Sequence, residues 1–408
     1  MIFSIKAKIY FMRLVAPLKI YYICRIMKAK IILEKLAQFP HRGATTPAEL
    51  QAAELVQKLL AEEQIQADLE NFKATSSYSW EVILISLTMI AGALLSPYLS
   101  RLATALALLG FWSYIRHFDG RSTIFTPFIS KKNSQNIVAK IAGSREPSRN
   151  IILMAHYDSA RASAVFAPRV VKNFRQTFLF NTAVAAGTII WAYLGEYWGS
   201  FLWFKVICGL LALNHLINVV IHIHREIAHH FVPGINDNGS GVATIFEVLE
   251  NLKKYPFRSN LWIVFTGCEE AGIQGAKAFL NEHQSELPVG ATFLINLDNV
   301  GSGRLHYVTG EGMLLYHNYD ESLVSICADL VKHPEYSDIL PLQYRRAYFD
   351  ALTFTQHGYP CTTLITLDQN GIIPNWHWYT DTLTNIDFGT IENAANFTTA
   401  LFKSLDSR

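Results

Sequence analysis

The sequence has few charged residues and few cysteines, and each shortage excludes some classes of protein. Only 17% of its 408 residues are charged, and its formal net charge is +2. No basic stripe is interleaved with aromatic residues, so the composition predicts no nucleic acid partner. The five cysteines are scattered and form no CxxC pair, which argues against a disulfide framework and a thiolate zinc site. A reducing compartment fits this cysteine usage.

The first 30 residues lack the uninterrupted apolar core and the small-residue cleavage site of a signal peptide. They read MIFSIKAKIYFMRLVAPLKIYYICRIMKAK, in which Lys and Arg interrupt short apolar stretches. We interpret residues 1–30 as a basic extension, and two interpretations stay open. It is an amphipathic segment on a membrane surface, or a poorly ordered extension ahead of a natural start near Met27.

Long apolar stretches are concentrated in two places: 82–95 with 102–115, and 177–195 with 201–221. Each block of the first pair has 14 residues, which span about 21 Å as a helix, whereas the hydrocarbon core of a bilayer is about 30 Å thick. The second pair is long enough to cross. We predict two transmembrane hairpins, at residues 80–116 and 177–221, with soluble helical insertions or a dimer interface as the alternative. Four polar residues of the last block should face a neighbouring helix: Lys205, Asn214, His215 and Asn218.

Positive charge is concentrated on one side of the predicted hairpins. On the side of the remaining chain lie Arg116, Arg121, Lys131, Lys132, Arg169, Lys172, Arg175 and Arg225, whereas the hairpin tips contain only Arg101. Because positive residues favour the cytoplasmic side, we expect an integral protein of a bacterial inner membrane, with the lipid bilayer as a partner. The remaining sequence, residues 31–79, 117–176 and 222–408, should form one cytoplasmic domain.

Outside the hairpins, apolar strands alternate with helices. The predicted strands are NIVAKIAG, NIILMAH, LWIVFTG, ATFLINLD, RLHYV and CTTLITL, and predicted helices lie near 240–253, 274–284 and 390–405. Another helix, within 46–65, begins with Thr46 as N-cap and Glu49 closing a capping box. This alternation is typical of an α/β fold, in which functional sites gather at the carboxyl ends of the strands.

Three of the predicted strands end on potential metal ligands. NIILMAH ends on His156, and Asp158 points to the same side two residues later, where it can orient the imidazole. LWIVFTG runs into Glu269 and Glu270, whose adjacent carboxylates would repel each other unless a cation separates them. ATFLINLD ends on Asp298. Packing alone does not explain such residues at one edge of a sheet.

Five segments, taken in order, resemble the co-catalytic zinc aminopeptidases of peptidase family twenty-eight, whose relatives include glutaminyl cyclases and the transferrin receptor ectodomain. The segments are HYDS, GINDNGSG, FTGCEEAGIQGAKAF, INLDNVGSG and HWYTDTLTNID. The resemblance covers residues 31–75, 118–165 and 225–408 and leaves the hairpins outside. It implies a three-layer α/β/α sandwich around a mixed, mostly parallel central sheet.

The resemblance also implies two zinc ions and a role for each site residue. The implied ligands are His156 and Asp298 on one ion, Glu270 and His377 on the other, and Asp237 between them. Glu269 is the implied general base, and Asp158 orients His156. Imidazole and carboxylate suit zinc, and two ions about 3.5–4 Å apart can share a water and polarise a carbonyl.

The chain departs from the family pattern at two places near these residues. Trp376 stands where relatives often carry Tyr before the last ligand, and an indole offers only one donor. Tyr379 is the candidate replacement for that phenol. Phe349, Asp350 and Ala351 stand where relatives show Ser-Asp-His, which keeps the acid and changes the shape of the pocket.

These features predict a membrane-anchored zinc aminopeptidase that acts on peptides with a free amino terminus. Two alternatives remain. A glutaminyl cyclase has a similar scaffold but works with one zinc ion. A receptor-like or scaffold homologue would keep the fold without catalysis.

Overall fold

The structure is a computed structural model that describes residues 28–144 and 149–408. Both interpretations of the amino-terminal extension concern residues outside this described part. The helices are α1 (28–36), α2 (Pro47–Glu62), α3 (Ser79–Leu95), α4 (Ser100–Phe118), α5 (Phe174–Trp198), α6 (Leu202–Ala228), α7 (Ser240–Leu252), α8 (Gln274–His283), α9 (Glu321–Leu330), α10 (Ala351–Thr355) and α11 (Phe388–Asp406). The strands are β1 (Asp68–Thr75), β2 (Lys131–Ile141), β3 (Asn150–His156), β4 (Asn260–Thr266), β5 (Thr292–Leu297), β6 (Arg304–Glu311), β7 (His317–Asn318), β8 (Leu340–Tyr344) and β9 (Cys361–Leu367).

The strands form one mixed sheet in the order β1-β2-β4-β3-β5-β9-β6-β7, and β8 pairs with β6. The central strands β4, β3, β5 and β9 are parallel, whereas β1, β2 and β6 join the sheet in antiparallel pairs. His156 at the end of β3 lies opposite Thr266 at the end of β4. The carboxyl ends of these parallel strands therefore meet at one edge of the sheet.

Alternate residues of the buried strands face two separate hydrophobic cores. In β3, Ile151 and Leu153 pack in the core that also contains α1, α2, α7, α9 and α11. Ile152 and Met154 pack on the opposite face, with α8 and α10. Because side chains alternate across a strand, the continuous apolar run fills both layers at once. The predicted three-layer α/β/α sandwich is confirmed.

Both predicted hairpins are helical, and they pack together as one bundle. Helix α3 packs against α4 and α6, and α4 packs against α5. The Nδ2 atoms of Asn214 and Asn218 donate to Asn181 Oδ1 at 3.1 and 3.3 Å, and His215 Nε2 lies 3.1 Å from Thr188 Oγ1. These three polar residues of α6 therefore face α5, as predicted. We call the four helices α3–α6 the helical bundle.

The two hairpins differ in their fit to a membrane. The segments Val171–Trp198 and Leu202–Ala228 are long and apolar enough to cross one, by length and composition. Helix α3 is apolar but shorter, with 17 residues. Length therefore supports a membrane span for the second hairpin more strongly than for the first.

Candidate metal centre

The first group of predicted ligands lies where β3 and β5 end. His156 is buried, and its Nε2 lies 3.2 Å from Asp237 Oδ1 and 3.8 Å from Asp298 Oδ1. Ligand atoms of these three residues all lie within 4.8 Å of one another. One imidazole and two carboxylates thus converge closely enough to share a cation.

The second group lies on the other side of Asp237. His377 Nε2 is 3.2 Å from Asp237 Oδ2 and 3.1 Å from Glu270 Oε2. The two oxygens of Asp237 therefore face different histidines, one in each group. The structure brings all five predicted ligands together, and the shared position of Asp237 is the geometry that a bridging carboxylate requires.

A tight turn ahead of α7 presents Asp237. Gly234 precedes the turn with a φ of +65°, and a Cβ on it would lie 2.5 Å from the carbonyl oxygen of Asp237, so only glycine fits there. The Asp381 carboxylate accepts hydrogen bonds from the backbone nitrogens of Asn236 at 2.6 Å and Asp237 at 3.0 Å. The HWYTDT segment thus supplies both a ligand and the acid that fixes the turn.

Arg42 is a positioning residue that the sequence did not predict. Its guanidinium is fully buried and donates to the carbonyl oxygens of Tyr157, Pro233 and Gly234, each at 2.6 Å. These bonds join the loop after β3 to the turn that carries Asp237. Burial lowers the pKa of Arg42 to about 10, so the side chain stays charged at neutral pH. No local pattern could reveal this role, because its partners are distant in the sequence.

Asp158 organises the opposite side of the centre. Its carboxylate accepts hydrogen bonds from the backbone nitrogens of Glu269 at 3.0 Å and Glu270 at 3.2 Å. His156 Nδ1 lies 3.2 Å from the carbonyl oxygen of Asp158 and 3.5 Å from its Oδ1. Asp158 therefore orients the imidazole and both acids together. The two acids have different imidazole neighbours, since Glu270 Oε2 lies 3.1 Å from His377 Nε2 whereas Glu269 Oε2 lies 4.0 Å from His156 Nε2. Ligand atoms of Glu269, Glu270 and His156 still lie within 4.8 Å of one another.

Glu49 has a larger role than the predicted helix cap. Thr46 does cap α2, because its hydroxyl accepts from Glu49 N at 3.3 Å. The predicted return bond to Thr46 is wrong, since Glu49 Oε2 accepts from Thr45 N at 2.8 Å. Glu49 Oε1 accepts from Cys268 N at 3.1 Å and from Ser134 Oγ at 3.0 Å. Burial raises the pKa of Glu49 to about 8. It holds the turn that leads into the acid pair.

The buried acids outnumber the buried bases at this edge. Burial raises the pKa of Glu269 well above its usual value, with Glu270 adding to the shift, and it raises the pKa of Asp350 to about 7. Burial lowers the pKa of His377, but the carboxylates of Glu270 and Asp237 outweigh it and raise the value to about 10. A buried set of this composition is costly without further positive charge.

Unpaired atoms support the same conclusion. Among the described residues, Glu270 Oε1 and His377 Nδ1 are buried without a hydrogen-bond partner. Buried polar atoms are normally paired, and such exceptions often mark a bound ion. Imidazole nitrogens and carboxylate oxygens suit zinc. The donor set therefore fits zinc.

A cavity of about 230 Å³ opens beside the centre, and Glu269, Glu270 and His377 lie in its wall. Tyr379 does not line it, since its hydroxyl lies 3.0 Å from His229 Nδ1. The suggestion that Tyr379 replaces the missing phenol is therefore wrong, because the loop carries it away toward the end of α6. Tyr348 does line the cavity, and its phenol is the candidate that sequence reasoning overlooked.

Comparison with known proteins agrees with this geometry. The family model described as Peptidase family M28 matches residues 219–402, which include every predicted ligand except His156. The resemblance to peptidase family M28 is confirmed. A probable lipoprotein aminopeptidase of Mycobacterium tuberculosis, LpqL, is 36% identical over 81 residues. That alignment covers 20% of this chain and 16% of the relative.

Solved structures of aminopeptidases and glutaminyl cyclases share this fold. An aminopeptidase from Aneurinibacillus superposes with a TM-score of 0.55 at 15% identity, covering 92% of each chain. A glutaminyl cyclase from an Acidobacteriales bacterium superposes with a TM-score of 0.57 at 13% identity, covering 94% of this chain and 95% of its own. At such low identity these similarities establish the fold alone.

Proposed function

We propose that this protein is a membrane-anchored zinc aminopeptidase that removes amino-terminal residues from peptides. The observation that carries the proposal is the position of Asp237, whose two oxygens face separate imidazole-carboxylate groups. We assign His156 and Asp298 to one zinc ion, Glu270 and His377 to the other, and Asp237 to both. Two-metal peptide hydrolysis requires two adjacent metal sites and a general base beside them. The two groups would provide the sites, and Glu269 would be the base.

The chain's own residues carry the proton transfers. Glu269 takes a proton from the attacking water and returns it to the leaving amine. Burial raises the pKa of Glu269, which strengthens it as a proton acceptor. Asp158 keeps Glu269 and His156 in position through its hydrogen bonds. When bound, the zinc ions supply Lewis-acid polarisation of the scissile carbonyl.

Charge explains why a free amino terminus is expected in the substrate. Glu269 lines the cavity beside the proposed zinc ligands, and its carboxylate is not assigned to either ion. A positively charged ammonium is attracted to a carboxylate in such a cavity, whereas an acylated amino terminus carries no charge to be attracted. Acetylated peptides should therefore be poor substrates.

We further propose that the helical bundle anchors the enzyme in a lipid bilayer, with the catalytic domain in the cytoplasm. Its outer surface exposes large apolar side chains, among them Leu87, Leu108, Ile190, Leu210, Ile217 and Val220, each at least 46% exposed. An apolar belt of this extent favours a lipid or protein partner. The excess of Lys and Arg beside the catalytic domain supports the orientation.

A glutaminyl cyclase is the second candidate, because cyclases are among the structural neighbours. A cyclase would need one zinc ion, whereas this chain offers two ligand groups that share Asp237. A non-catalytic scaffold is less well supported, since the chain retains every implied ligand and the implied base.

Hydrolysis assays with a panel of aminoacyl amides, run beside zinc analysis, test the proposal. We expect two zinc ions per chain, hydrolysis of free aminoacyl amides, and no hydrolysis of their acetylated forms. One zinc ion with cyclisation of amino-terminal Gln would establish the cyclase instead. Two bound zinc ions without either activity would favour the scaffold.

A further inference from the structure

The cavity beside the metal centre is not confined to the catalytic domain. It runs from Glu269, Glu270 and His377 into the base of the helical bundle, where Phe118 of α4, Phe178 of α5 and Ile221 of α6 line it. The match to the family model begins at residue 219, near the end of α6, so most of the bundle lies outside it. Its helices therefore add walls that the catalytic domain alone does not have.

The walls within the bundle are mainly apolar. The rings of Phe118 and Phe178 pack edge to face, with centroids 5.0 Å apart. Two polar groups that line the cavity have partners outside it: His117 Nδ1 lies 2.6 Å from Glu81 Oε2, and Arg346 Nη1 donates to the carbonyl oxygen of Gly371. Arg346 Nε has no hydrogen-bond partner among the described residues. At the far end, Asn218 donates to Asn181, so these amides also satisfy each other. Beyond the catalytic residues, an apolar group entering the cavity would meet Arg346, which forms no ion pair within the described residues, beside a wall that is otherwise mainly aromatic and aliphatic.

A chain of aromatic contacts connects the bundle to a predicted zinc ligand. Phe174, at the start of α5, stacks on Phe166 at 5.3 Å, and the ring of Phe166 lies 4.5 Å from that of His377. Trp376 packs against both phenylalanines. The position of α5 thus determines the shape of the cavity next to the catalytic residues.

We propose that the helical bundle forms the specificity pocket, and that the side chain of the substrate's amino-terminal residue enters it. This inference rests on the proposed aminopeptidase function. The pocket selects large apolar residues such as Leu and Phe, because its wall is apolar and continuous with the catalytic carboxylates. An apolar protein cavity of about 150 Å³ can bind benzene, so a volume of about 230 Å³ has room for either side chain. The bundle is then part of the active site as well as an anchor.

Adjacent residues of α6 provide a matched test. Ile221 lines the cavity, whereas Val220 is 56% exposed on the outer surface of the bundle. In the full-length enzyme, Ile221→Trp should lower kcat/KM for Leu and Phe amides by about 10- to 100-fold, with Ala amide changed by less than about threefold. Val220→Trp should leave all three unchanged. Equal loss on Ala and Leu amides, or no loss on any, would overturn the pocket assignment and leave the aminopeptidase function standing.

The opposite change enlarges the pocket and covers the case in which Ile221→Trp fails to fold. Phe178 is buried in the cavity wall, and its neighbour Leu179 is 45% exposed. Phe178→Ala should raise the ratio of kcat/KM for Trp amide over Leu amide by about tenfold, whereas Leu179→Ala should not. An unchanged ratio in Phe178→Ala would contradict the inference.

A binding measurement can show whether the pocket assignment or the proposed function is wrong. If the wild-type enzyme hydrolyses no amide, calorimetry with phenylalaninamide on the zinc-loaded protein still examines the cavity. Weaker binding in Ile221→Trp than in Val220→Trp would keep the pocket and remove the peptidase assignment. Equal binding in the two variants would remove the pocket as well.

Discussion

Buried polar side chains have different surroundings in two regions of the molecule, the helical bundle and the carboxyl edge of the sheet. Between the long helices of the bundle, several neutral groups pair with one another, as His215 does with Thr188 and Asn214 with Asn181. At the carboxyl edge of the sheet they are mostly acids, and Glu270 Oε1 and His377 Nδ1 have no hydrogen-bond partner among the described residues. Paired neutral groups hold helices together, whereas crowded acids with unpaired atoms indicate a ligand.

The free energy associated with a buried polar group therefore differs between the two regions. A hydrogen bond between helices in a membrane contributes on average about 0.6 kcal/mol. A buried charge without compensation costs several kcal/mol. The bundle could therefore lose one polar pair with little effect, but the sheet edge needs cations to complete it. Substitutions in each region test this contrast.

The largest effect is expected from Asp237→Ala. Because Asp237 faces both histidines, its loss should weaken both zinc sites and lower kcat/KM by at least about 10³-fold. Zinc analysis and amide hydrolysis on the same sample measure this. Asp298→Ala is the matched control, since it touches one group alone. If Asp237→Ala retained both zinc ions, the acids at the sheet edge would not be there to bind them, and the contrast with the bundle would be wrong.

Glu269→Gln should separate chemistry from metal binding. The amide keeps the shape of the side chain but cannot accept the proton, so kcat should fall by about 10²- to 10⁴-fold with zinc content unchanged. Glu270→Ala should instead lose zinc, because Glu270 lies 3.1 Å from His377 Nε2. Equal zinc loss in the two variants would contradict the division of roles between the neighbouring acids.

Arg42→Met should reduce the stability of the protein. Its effect on the activity of those molecules that still bind metal should be smaller. It leaves three buried carbonyl oxygens without their donor, and we expect the free energy of unfolding to fall by about 3 kcal/mol. Chemical denaturation of the metal-free protein gives this value. A loss below about 1 kcal/mol would mean that the guanidinium does not hold the two loops together.

The smallest effect is expected inside the bundle, for Thr188→Val. It removes the bond to His215 while keeping the volume, so the stability loss should be about 0.6 kcal/mol. Hydrolysis of Leu amide should be unchanged, because Thr188 does not line the cavity. A loss of activity comparable to that of Glu269→Gln would show that the bundle's polar pairs are functional.

Sequence patterns predicted the central part of the fold well. The apolar runs of β3, β4 and β5 are buried on both faces, and this is what makes such strands recognisable. Strand β1 was missed because most of its residues are at least partly exposed, and β7 because it has two residues. Edge strands of this kind depend on their neighbours rather than on their own composition.

The site was predicted where its residues lie in short, recognisable segments. His156 and Glu270 follow apolar strands, so their position at one sheet edge could be expected. Arg42 and Glu49 could not, because their roles come from contacts with distant parts of the chain. Tyr379 was assigned wrongly because proximity to His377 in sequence does not fix the direction of a loop. Phe178 lies outside the family resemblance, so no motif connected it with the cavity.

Anomalous diffraction at the zinc edge, from crystals of the zinc-loaded protein, tests the central claim most directly. The account predicts two zinc peaks about 3.5–4 Å apart, with the Asp237 carboxylate between them. One peak should lie beside His156 and the other beside His377. A single peak bound to one histidine, or peaks that do not contact Asp237, would contradict the shared metal centre and the hydrolytic function built on it.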